Sequence, residues 1–431
     1  MKQQRPYPQL IVSRKAARSL AAGHPWVFDS EVLRLAPSPV DGHAATNGEL
    51  VDVFEENGTW QGCGMLSQQS TIRVRIVSRN ANDCFDTNFW QRRIAWAWQH
   101  RLTTLGARAQ CGSEPDTTCC RVLFSEADGM PGLVVDKYED VLVVQVGTVG
   151  MDLLRPVLYP ILLNVLDESG HVIRGIYERN DGSVRDKEGL PKTKGWWDGA
   201  SVPTNARIVV RENGIRYNLD LENSQKTGFF LDQKYNRRAV RNIAWGKRVL
   251  DCFCHVGPFG LNALAGGAAA VRFVDVSKTA IDLARENVLL NGLDPTGNDP
   301  QISFACEDVM EYLPRLRNKR TLREEGGPFD LIVLDPPAFT KSHATVRNAR
   351  RGYKELNTQA LRILPRGGYL ATCSCSHFMT RDLLAQAVAE AAHDAGVQLK
   401  QVEERQQAPD HPILWGFPQS HYLDFFVFQA V

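Results

Sequence analysis

Short runs in which apolar and polar residues alternate mark the first part of the chain. Gly48-Glu-Leu-Val-Asp-Val-Phe54, Trp60-Gln-Gly-Cys-Gly-Met-Leu66 and Thr71-Ile-Arg-Val-Arg-Ile-Val77 carry the two-residue period of half-buried strands, punctuated by Gly and Asn. They predict a small β-rich module ending near Arg79. From Asp86 to about Leu105 the spacing turns helical, with Phe89, Ile94, Trp96 and Trp98 set among arginines. Two strand-like runs follow, Leu133-Val-Val-Asp136 and Val141-Leu-Val-Val-Gln-Val146, then a helix from about Leu153 to Leu166 and a strand near Ile173 to Tyr177. This is the pattern of a second, α+β region. The stretch from Asp181 to Thr204, rich in Gly, Lys, Asp and Pro, reads as a connection.

Beyond Arg207 strands and helices alternate. The strand candidates are Arg248-Val-Leu-Asp-Cys-Phe253, Ala270-Val-Arg-Phe-Val274, Ile302-Ser-Phe-Ala305, Leu331-Ile-Val-Leu334 and Gly368-Tyr-Leu-Ala-Thr-Cys373. Helical patterns lie between them, such as Thr279 to Leu290 and Arg381 to Ala395. Such alternation implies an α/β fold with a parallel, doubly wound sheet whose functional loops sit at the carboxyl ends of the strands. The resulting division is 1–82, 83–204 and 205–431, consistent with a length of 431 residues.

Composition supports a folded protein, with 43% hydrophobic and 23% charged residues. The formal net charge of +1 excludes a globally basic nucleic-acid coat. Resolved by segment the charge is uneven: Lys2, Arg5, Arg14, Lys15, Arg18 and Arg34 outweigh Asp29 and Glu31 in the first forty residues. Ten cysteines, at 63, 84, 111, 119, 120, 252, 254, 306, 373 and 375, include no CxxC pair, so no metal is expected. No apolar leader opens the chain, and no run approaches the roughly 18 apolar residues of a membrane span. These features predict a cytoplasmic protein with reduced thiols and no membrane partner.

The chemistry concentrates at the strand ends of 205–431. The first strand runs into Asp251-Cys-Phe-Cys-His-Val-Gly257-Pro-Phe-Gly260, and the second ends at Asp275. A glycine turn followed about 20 residues later by an acid suits a ribose: Gly permits close backbone approach and the carboxylate accepts the hydroxyls. A tight turn with a helix-capping acid is the plainer alternative. The loop lacks GxGxxG and carries Pro258 and Phe259 where a pyrophosphate needs bare backbone, which favours S-adenosylmethionine over a nicotinamide dinucleotide. Asp308, after the third strand, is placed to bond an adenine amine or simply to close a turn. The fourth strand ends in Asp335-Pro336-Pro337-Ala338-Phe339: an acid for the edge of a planar base, two prolines that stiffen the turn, and an aromatic ring to stack on or shape the pocket. The fifth ends in Cys373-Ser-Cys375-Ser376, where either thiol is set to face a base held by Asp335, and periodicity does not choose between them.

Five segments together resemble the RlmI-like methyltransferases, which form 5-methylcytosine in large-subunit ribosomal RNA. They are Arg121-Val-Leu-Phe-Ser-Glu-Ala-Asp-Gly-Met-Pro-Gly-Leu-Val-Val-Asp136, Lys226-Thr-Gly-Phe-Phe-Leu-Asp-Gln233, the Asp335-Pro-Pro-Ala-Phe turn, Arg351-Gly-Tyr-Lys-Glu-Leu-Asn357 and Cys373-Ser-Cys-Ser376. Gly23-His-Pro-Trp-Val-Phe28 is similar to the opening of that family's PUA domain. The resemblance covers nearly the whole chain. It implies a PUA-like RNA-binding domain over 1–82, a central α+β domain over 83–204 and a Rossmann-like class I methyltransferase domain over 205–431. It also implies S-adenosylmethionine as cofactor, large-subunit ribosomal RNA as partner, and is compatible with a homodimer. Residue by residue it makes Cys375 the nucleophile and Cys373 structural. It assigns Gly257, Asp275, Asp308 and Asp335 to the cofactor and base pocket, and 226–233 to a segment closing over the cofactor, with Gln233 a further contact. Phe253-Cys-His-Val-Gly-Pro-Phe259 departs from the family's Phe-Ser-Tyr-Thr-Gly-Gly/Ala-Phe loop, and His377 stands where a small residue is expected.

The implied chemistry is thiolate addition to cytosine C6, which makes C5 nucleophilic, with Asp335 bonding the N3 edge. Ala338 occupies the place where another group of 5-methylcytosine enzymes carries a second cysteine, which favours a single-cysteine mechanism. For removal of the C5 proton, His411 and ordered water are the candidates. Pro336, Pro337, Phe339, Arg350 and Arg351 are expected to hold the RNA, the arginines within a basic run that includes Lys341, Arg347 and Lys354. Two rival classes stand against this reading. One is an RNA methyltransferase acting on an exocyclic amine such as guanine N2, which needs no thiol. The other is a non-catalytic RNA-binding assembly factor, which needs none of Asp275, Asp335 and Cys375.

Overall fold

The computed structural model describes residues 5–105, 115–197, 206–223, 227–296, 301–340 and 342–431. Lys2, Cys111, Lys226, Lys341 and the proposed boundary at 204/205 lie outside the described residues. The chain divides into two compact units. One comprises Met1–Ile208, Leu219–Phe229 and Pro409–Ser420; the other comprises Val209–Asn218, Phe230–Ala408 and His421–Val431.

In the first unit a six-stranded sheet has the order Trp26–Phe28, Ile72–Ser78, Trp60–Leu66, Leu50–Glu55, Gln9–Val12, Val32–Ala36. The helix Arg14–Ala21 starts where the Ser13 side chain accepts the Ala16 N–H, and it buries Ala16, Ala17 and Leu20 on one face. A five-stranded sheet follows, in the order Thr193–Trp196, Gly175–Asn180, Val141–Val146, Leu133–Tyr138, Cys119–Phe124. Helices Thr87–Thr104 and Val149–Asp167 share its apolar core. Met65 and Val77, from the first sheet, belong to that same core with Trp90, Ile94, Leu133 and Leu162. Thr193–Trp196 lies inside the stretch read above as a connection; as an exposed edge strand pairing with Gly175–Asn180 it needs little apolar character, so the hydropathy pattern misses it.

Helix Val149–Asp167 corrects one expectation, because by length and composition it is apolar enough to cross a membrane. Here it is a core helix, with Leu158, Tyr159, Leu162 and Leu166 fully buried. Its Asp152 takes ion pairs from Arg155 and Arg185.

The segment 409–420 completes the first unit although it is remote in sequence. Fully buried Arg101 donates to both carboxylate oxygens of Asp128 at 2.7 and 2.8 Å and to the Asp410 carbonyl at 2.8 Å. The Arg121 N–H donates to the Asp410 carboxylate at 2.9 Å, and the Phe417 ring packs on Trp26 with centroids 4.6 Å apart. Removing one partner from such a pair leaves a buried charge uncompensated, so these contacts hold the segment in one place.

The second unit contains a seven-stranded sheet. In chain order its strands are β1 (Arg248–Cys252), β2 (Ala270–Asp275), β3 (Gln301–Cys306), β4 (Leu331–Leu334), β5 (Tyr369–Ser374), β6 (Leu399–Gln406) and β7 (Asp424–Ala430), arranged 3-2-1-4-5-7-6. The first five pair in parallel and β7 runs antiparallel between β5 and β6. All four β4 residues are buried, as expected of a strand covered on both faces. The sequence pattern identifies β1 to β5. It misses β6, whose Leu-Lys-Gln-Val-Glu-Glu-Arg-Gln is mostly exposed at the sheet edge and has no apolar face to signal it, and it passes over β7, whose buried Phe-Phe-Val-Phe run was a usable signal.

Candidate active site

The carboxyl ends of β1, β2, β4 and β5 gather most of the residues singled out from the sequence. After β1 the backbone turns with positive φ at Phe253, His255 and Gly257, and Gly257 caps the helix Pro258–Ala265. Space dictates the glycines. A Cβ on Gly257 would lie 3.2 Å from the Phe273 ring, and one on Gly260 only 2.2 Å from it, so the helix start is seated directly on β2. The Gly260 N–H donates to Asp251 Oδ2 at 2.8 Å. Asp275, at the end of β2, ties the turn down through both oxygens, accepting the His255 N–H at 2.9 Å and the Ser277 N–H at 2.8 Å.

Two buried polar atoms here have no hydrogen-bond partner, Asp251 Oδ1 and His255 Nδ1. Burial pushes the Asp251 carboxyl up to about 8 and lowers the His255 imidazole. Buried groups with unused hydrogen-bonding capacity, beside a glycine turn and an acid, suit a ligand carrying an amine and hydroxyls. The residues present therefore fit S-adenosylmethionine.

Asp308 stands apart. It is exposed after β3 and its side chain accepts the Met310 N–H at 2.8 Å, capping helix Val309–Arg315. The geometry shown is that of a helix cap.

At the end of β4, Asp335 Oδ1 accepts hydrogen bonds from Gln233 Nε2 and from the Cys373 thiol, each at 3.0 Å. Gln233 is held in turn by Asn236, whose Nδ2 donates to Gln233 Oε1 at 2.6 Å. Burial pushes Asp335 up to about 6, and the Cys373 and Gln233 bonds oppose that rise. Cys373 is fully buried and its thiol lies well above the ordinary range, chiefly because burial disfavours the thiolate. Cys375, just past β5, is half-buried, and its sulfur lies 3.8 Å from the Pro336 carbonyl. The backbone thus separates two thiols that strand alternation puts on one side.

The Asp335-Pro-Pro turn buries Pro336 and exposes Pro337. Phe339 packs 4.7 Å from the Tyr353 ring, and Gly352 lets it approach, since a Cβ there would lie 3.1 Å from the ring. Arg350 and Lys354, one turn apart on helix Val346–Ile363, pair with Glu390 and Asp394; Arg347 and Arg351 are exposed. His377 is exposed with its ring 3.8 Å from Phe378. His411 is buried in the first unit against Asp410 (2.9 Å) and the Phe124 ring.

Sequence reasoning passed over Asp251, although an acid ending the apolar Val-Leu of a buried strand was a usable signal. It also passed over the buried hydroxyls of Tyr353 and Ser374, which interact with each other. Nothing in the pattern distinguishes them from core residues.

A parallel sheet ordered 3-2-1-4-5 with an antiparallel β7 inserted beside β5, a glycine turn after β1 and an acid after β2 define an S-adenosylmethionine-dependent methyltransferase. Residues 190–417 match the model of an S-adenosylmethionine-dependent methyltransferase family, and residues 10–79 match that of a PUA-like domain. A protein of Shewanella amazonensis named Ribosomal RNA large subunit methyltransferase I is 40% identical over 94% of this chain and 95% of its own length. One of the same name from Klebsiella pneumoniae is 35% identical over 97% of this chain and 98% of its own. The chain belongs to the ribosomal RNA large subunit methyltransferase I family. A solved SAM-dependent methyltransferase from Streptococcus mutans shares the fold, with a TM-score of 0.77 at 21% identity, covering 98% of this chain and all of that one. The same figures hold for the structure of a methyltransferase complexed with SAH.

Proposed function

We propose that this enzyme methylates C5 of a cytosine in large-subunit ribosomal RNA, with Cys375 as nucleophile. The observation that carries the assignment is the contrast between the two thiols. Cys373 is sealed in the core and donates to Asp335, whereas Cys375 is half-buried just beyond β5 beside the Asp335-Pro-Pro turn. The names of the relatives support the substrate.

Asp275 would hold the ribose of S-adenosylmethionine, with the turn through Gly257 against the rest of the cofactor and Gln233 as a further contact. We retain Asp308 as the contact to the adenine, a role that its capping bond leaves one carboxylate oxygen to fill. The cofactor, when bound, would supply an electrophilic methyl group and leave as S-adenosylhomocysteine with the electron pair of the broken S–CH3 bond. The Cys375 thiolate adds to C6 of the cytosine, and the electron pair displaced from the C5–C6 bond makes C5 nucleophilic. Asp335, protonated at moderately acid pH because burial raises it, donates to N3 as negative charge builds on the ring. Once C5 carries the methyl group, ordered water would take its proton, and the electrons released re-form the C5–C6 bond and expel the thiolate. Pro336 and Pro337 keep the turn rigid while Phe339 shapes the base pocket. Exposed Arg351, with Arg350 beside Glu390, borders the path of the RNA backbone.

The division at 82/83 and 204/205, a cytoplasmic location and a homodimer are parts of the same proposal; sedimentation equilibrium tests the last. The decisive experiment is incubation with S-adenosylmethionine and ribosomal RNA containing 5-fluorocytidine. Fluorine does not leave as a proton does, so the expected result is a covalent protein–RNA complex formed by the wild type and absent in Cys375→Ala. Amine methylation that persists in Cys375→Ala would overturn the reading.

A further inference from the structure

A second basic surface lies in the first unit, built from several separate stretches of the chain. A cavity of about 430 Å³ is lined by Gly23 and Pro25, by Arg79, by Arg93 and Trp96 of helix Thr87–Thr104, and by Leu414. An adjoining hollow of about 360 Å³ shares Arg79, Arg93 and Trp96 and adds Arg92.

Of the acids in these walls, Asp128 is paired by Arg101 and Glu126 lies 3.8 Å from Arg75, while Asp83 keeps its charge and acts on Arg93. Asp83 accepts from Ser78 and Asn80, Glu126 accepts the Trp26 indole N–H at 2.8 Å, and Asp128 takes both arms of Arg101. Two of the three cations are fixed by backbone carbonyls, and together the three outnumber Asp83. Arg79 is pinned by the carbonyls of Leu20 and His24 at 2.8 and 3.0 Å, and Arg93 by that of Val77 at 3.0 Å. Carbonyls position a guanidinium but leave its charge in place. Arg92 is exposed.

The same walls present aromatic surface. Trp96 is 64% exposed although it sits one turn after Arg92 on the same helical face. Trp415 is 95% exposed, and its neighbours fix its place: Leu414 lines the cavity, while the backbone of Gly416 lies against Gly23. Exposed indoles near held guanidiniums, with three arginines against the one carboxylate of Asp83, match the two features of a single-stranded nucleic acid, flat bases and a phosphate chain.

We infer that unpaired nucleotides of RNA stack on Trp96 and Trp415 while their phosphates lie against Arg79, Arg92 and Arg93. This rests on the reading of the protein as an RNA methyltransferase and gives it a site for single-stranded segments separate from the base pocket. Stacking on exposed indoles tolerates any base, so the surface adds affinity without reading sequence.

The test uses the full-length protein with two fluorescein-labelled probes, a short oligouridylate and an RNA duplex of equal length. The double variant Trp96→Ala/Trp415→Ala should bind the oligouridylate roughly 5- to 100-fold more weakly, the range expected for losing one stacked base or more, with duplex affinity unchanged. Arg92→Gln should lower the slope of log K against log salt by about 0.7, the value of one single-strand phosphate contact. Both tryptophans are exposed, so thermal melting should match wild type and exclude a folding defect. Photocrosslinks from 4-thiouridine should map to helix Thr87–Thr104 and to 414–416. Unchanged oligouridylate affinity in the double variant overturns the inference, including where that variant loses a protein partner instead. The two proposals fail separately: a wild type that forms no adduct with 5-fluorocytidine RNA refutes the reaction, whereas adduct formation with unaltered RNA affinity in the double variant refutes only this surface.

Discussion

The Cys373 thiol donates to Asp335 Oδ1 at 3.0 Å, and this bond, with burial, sets it apart from the half-buried Cys375. A thiol committed to a carboxylate and sealed from solvent is a poor nucleophile, since ionising it would set two negative charges in contact in a buried site. Cys373→Ser keeps a donor of similar size and should retain methyl transfer within about tenfold, an allowance for one altered hydrogen bond of about 1 kcal/mol. Cys375→Ala should leave no adduct and no product. Tritium transfer from labelled cofactor to ribosomal RNA compares the two.

Asp335 should appear in the pH profile. Its carboxyl is raised to about 6, so the form that donates to N3 predominates below that value and the limb it controls falls as pH rises through it. Asp335→Asn retains an N–H donor but has no proton to give. Single-turnover rates from pH 5 to 9 should lose that limb in the variant and fall by about 10²- to 10⁴-fold at its optimum, the usual worth of a general acid.

Asp251 predicts a pH dependence of stability. With its carboxyl at about 8 in the folded protein, against an ordinary value near 3.9, the folded state holds a proton that the unfolded state has released. Stability therefore declines between about pH 4 and pH 8, by at most about 1.4 kcal/mol per pH unit from this group. Asp251→Asn should flatten the decline, which urea denaturation at pH 5, 6, 7 and 8 measures directly.

The helix that starts at Gly257 tolerates no added carbon. Gly260→Ala would set a methyl 2.2 Å from the Phe273 ring, and relieving that clash requires the helix to lift from β2. A cost of about 1–3 kcal/mol is expected from overpacking, together with weaker binding of S-adenosylmethionine. Calorimetric titration with the cofactor and a thermal melt separate the two effects.

Arg237 and Glu212 form a buried bidentate pair at 2.7 and 2.9 Å, and the same guanidinium holds the Phe230 carbonyl at 2.7 Å, three residues before Gln233. Arg237→Ala removes the guanidinium that pairs both oxygens of the buried Glu212 carboxylate, so a loss of about 3–5 kcal/mol is expected in equilibrium unfolding. Arg237→Ala/Glu212→Ala should recover much of that loss, because both charges of the pair are removed together.

Much of the catalytic unit was legible in the residue pattern because its central strands are covered on both faces, and burial writes itself into sequence as Val, Leu and Ile runs. β1 to β5, the glycine turn, Asp275 and the Asp335-Pro-Pro turn follow from such local signals, as does the class of cofactor. Two edge strands escape the same reading: β6 and Thr193–Trp196 are set by hydrogen bonds to a neighbour, and their exposed side chains carry no period; the buried β7 was passed over although its Phe-Phe-Val-Phe run carries the signal. The choice between Cys373 and Cys375 also lay beyond periodicity, since residues two apart share a side. It took the course of the backbone past β5, together with Asp335 and Gln233 arriving from elsewhere, to bury one thiol and leave the other half-exposed. Charge obeyed the same division. Sequence placed Arg350 and Lys354 in a basic run, but the tertiary fold set Glu390 and Asp394 against them and left Arg347 and Arg351 exposed, because partners 40 residues apart meet only when two helices pack.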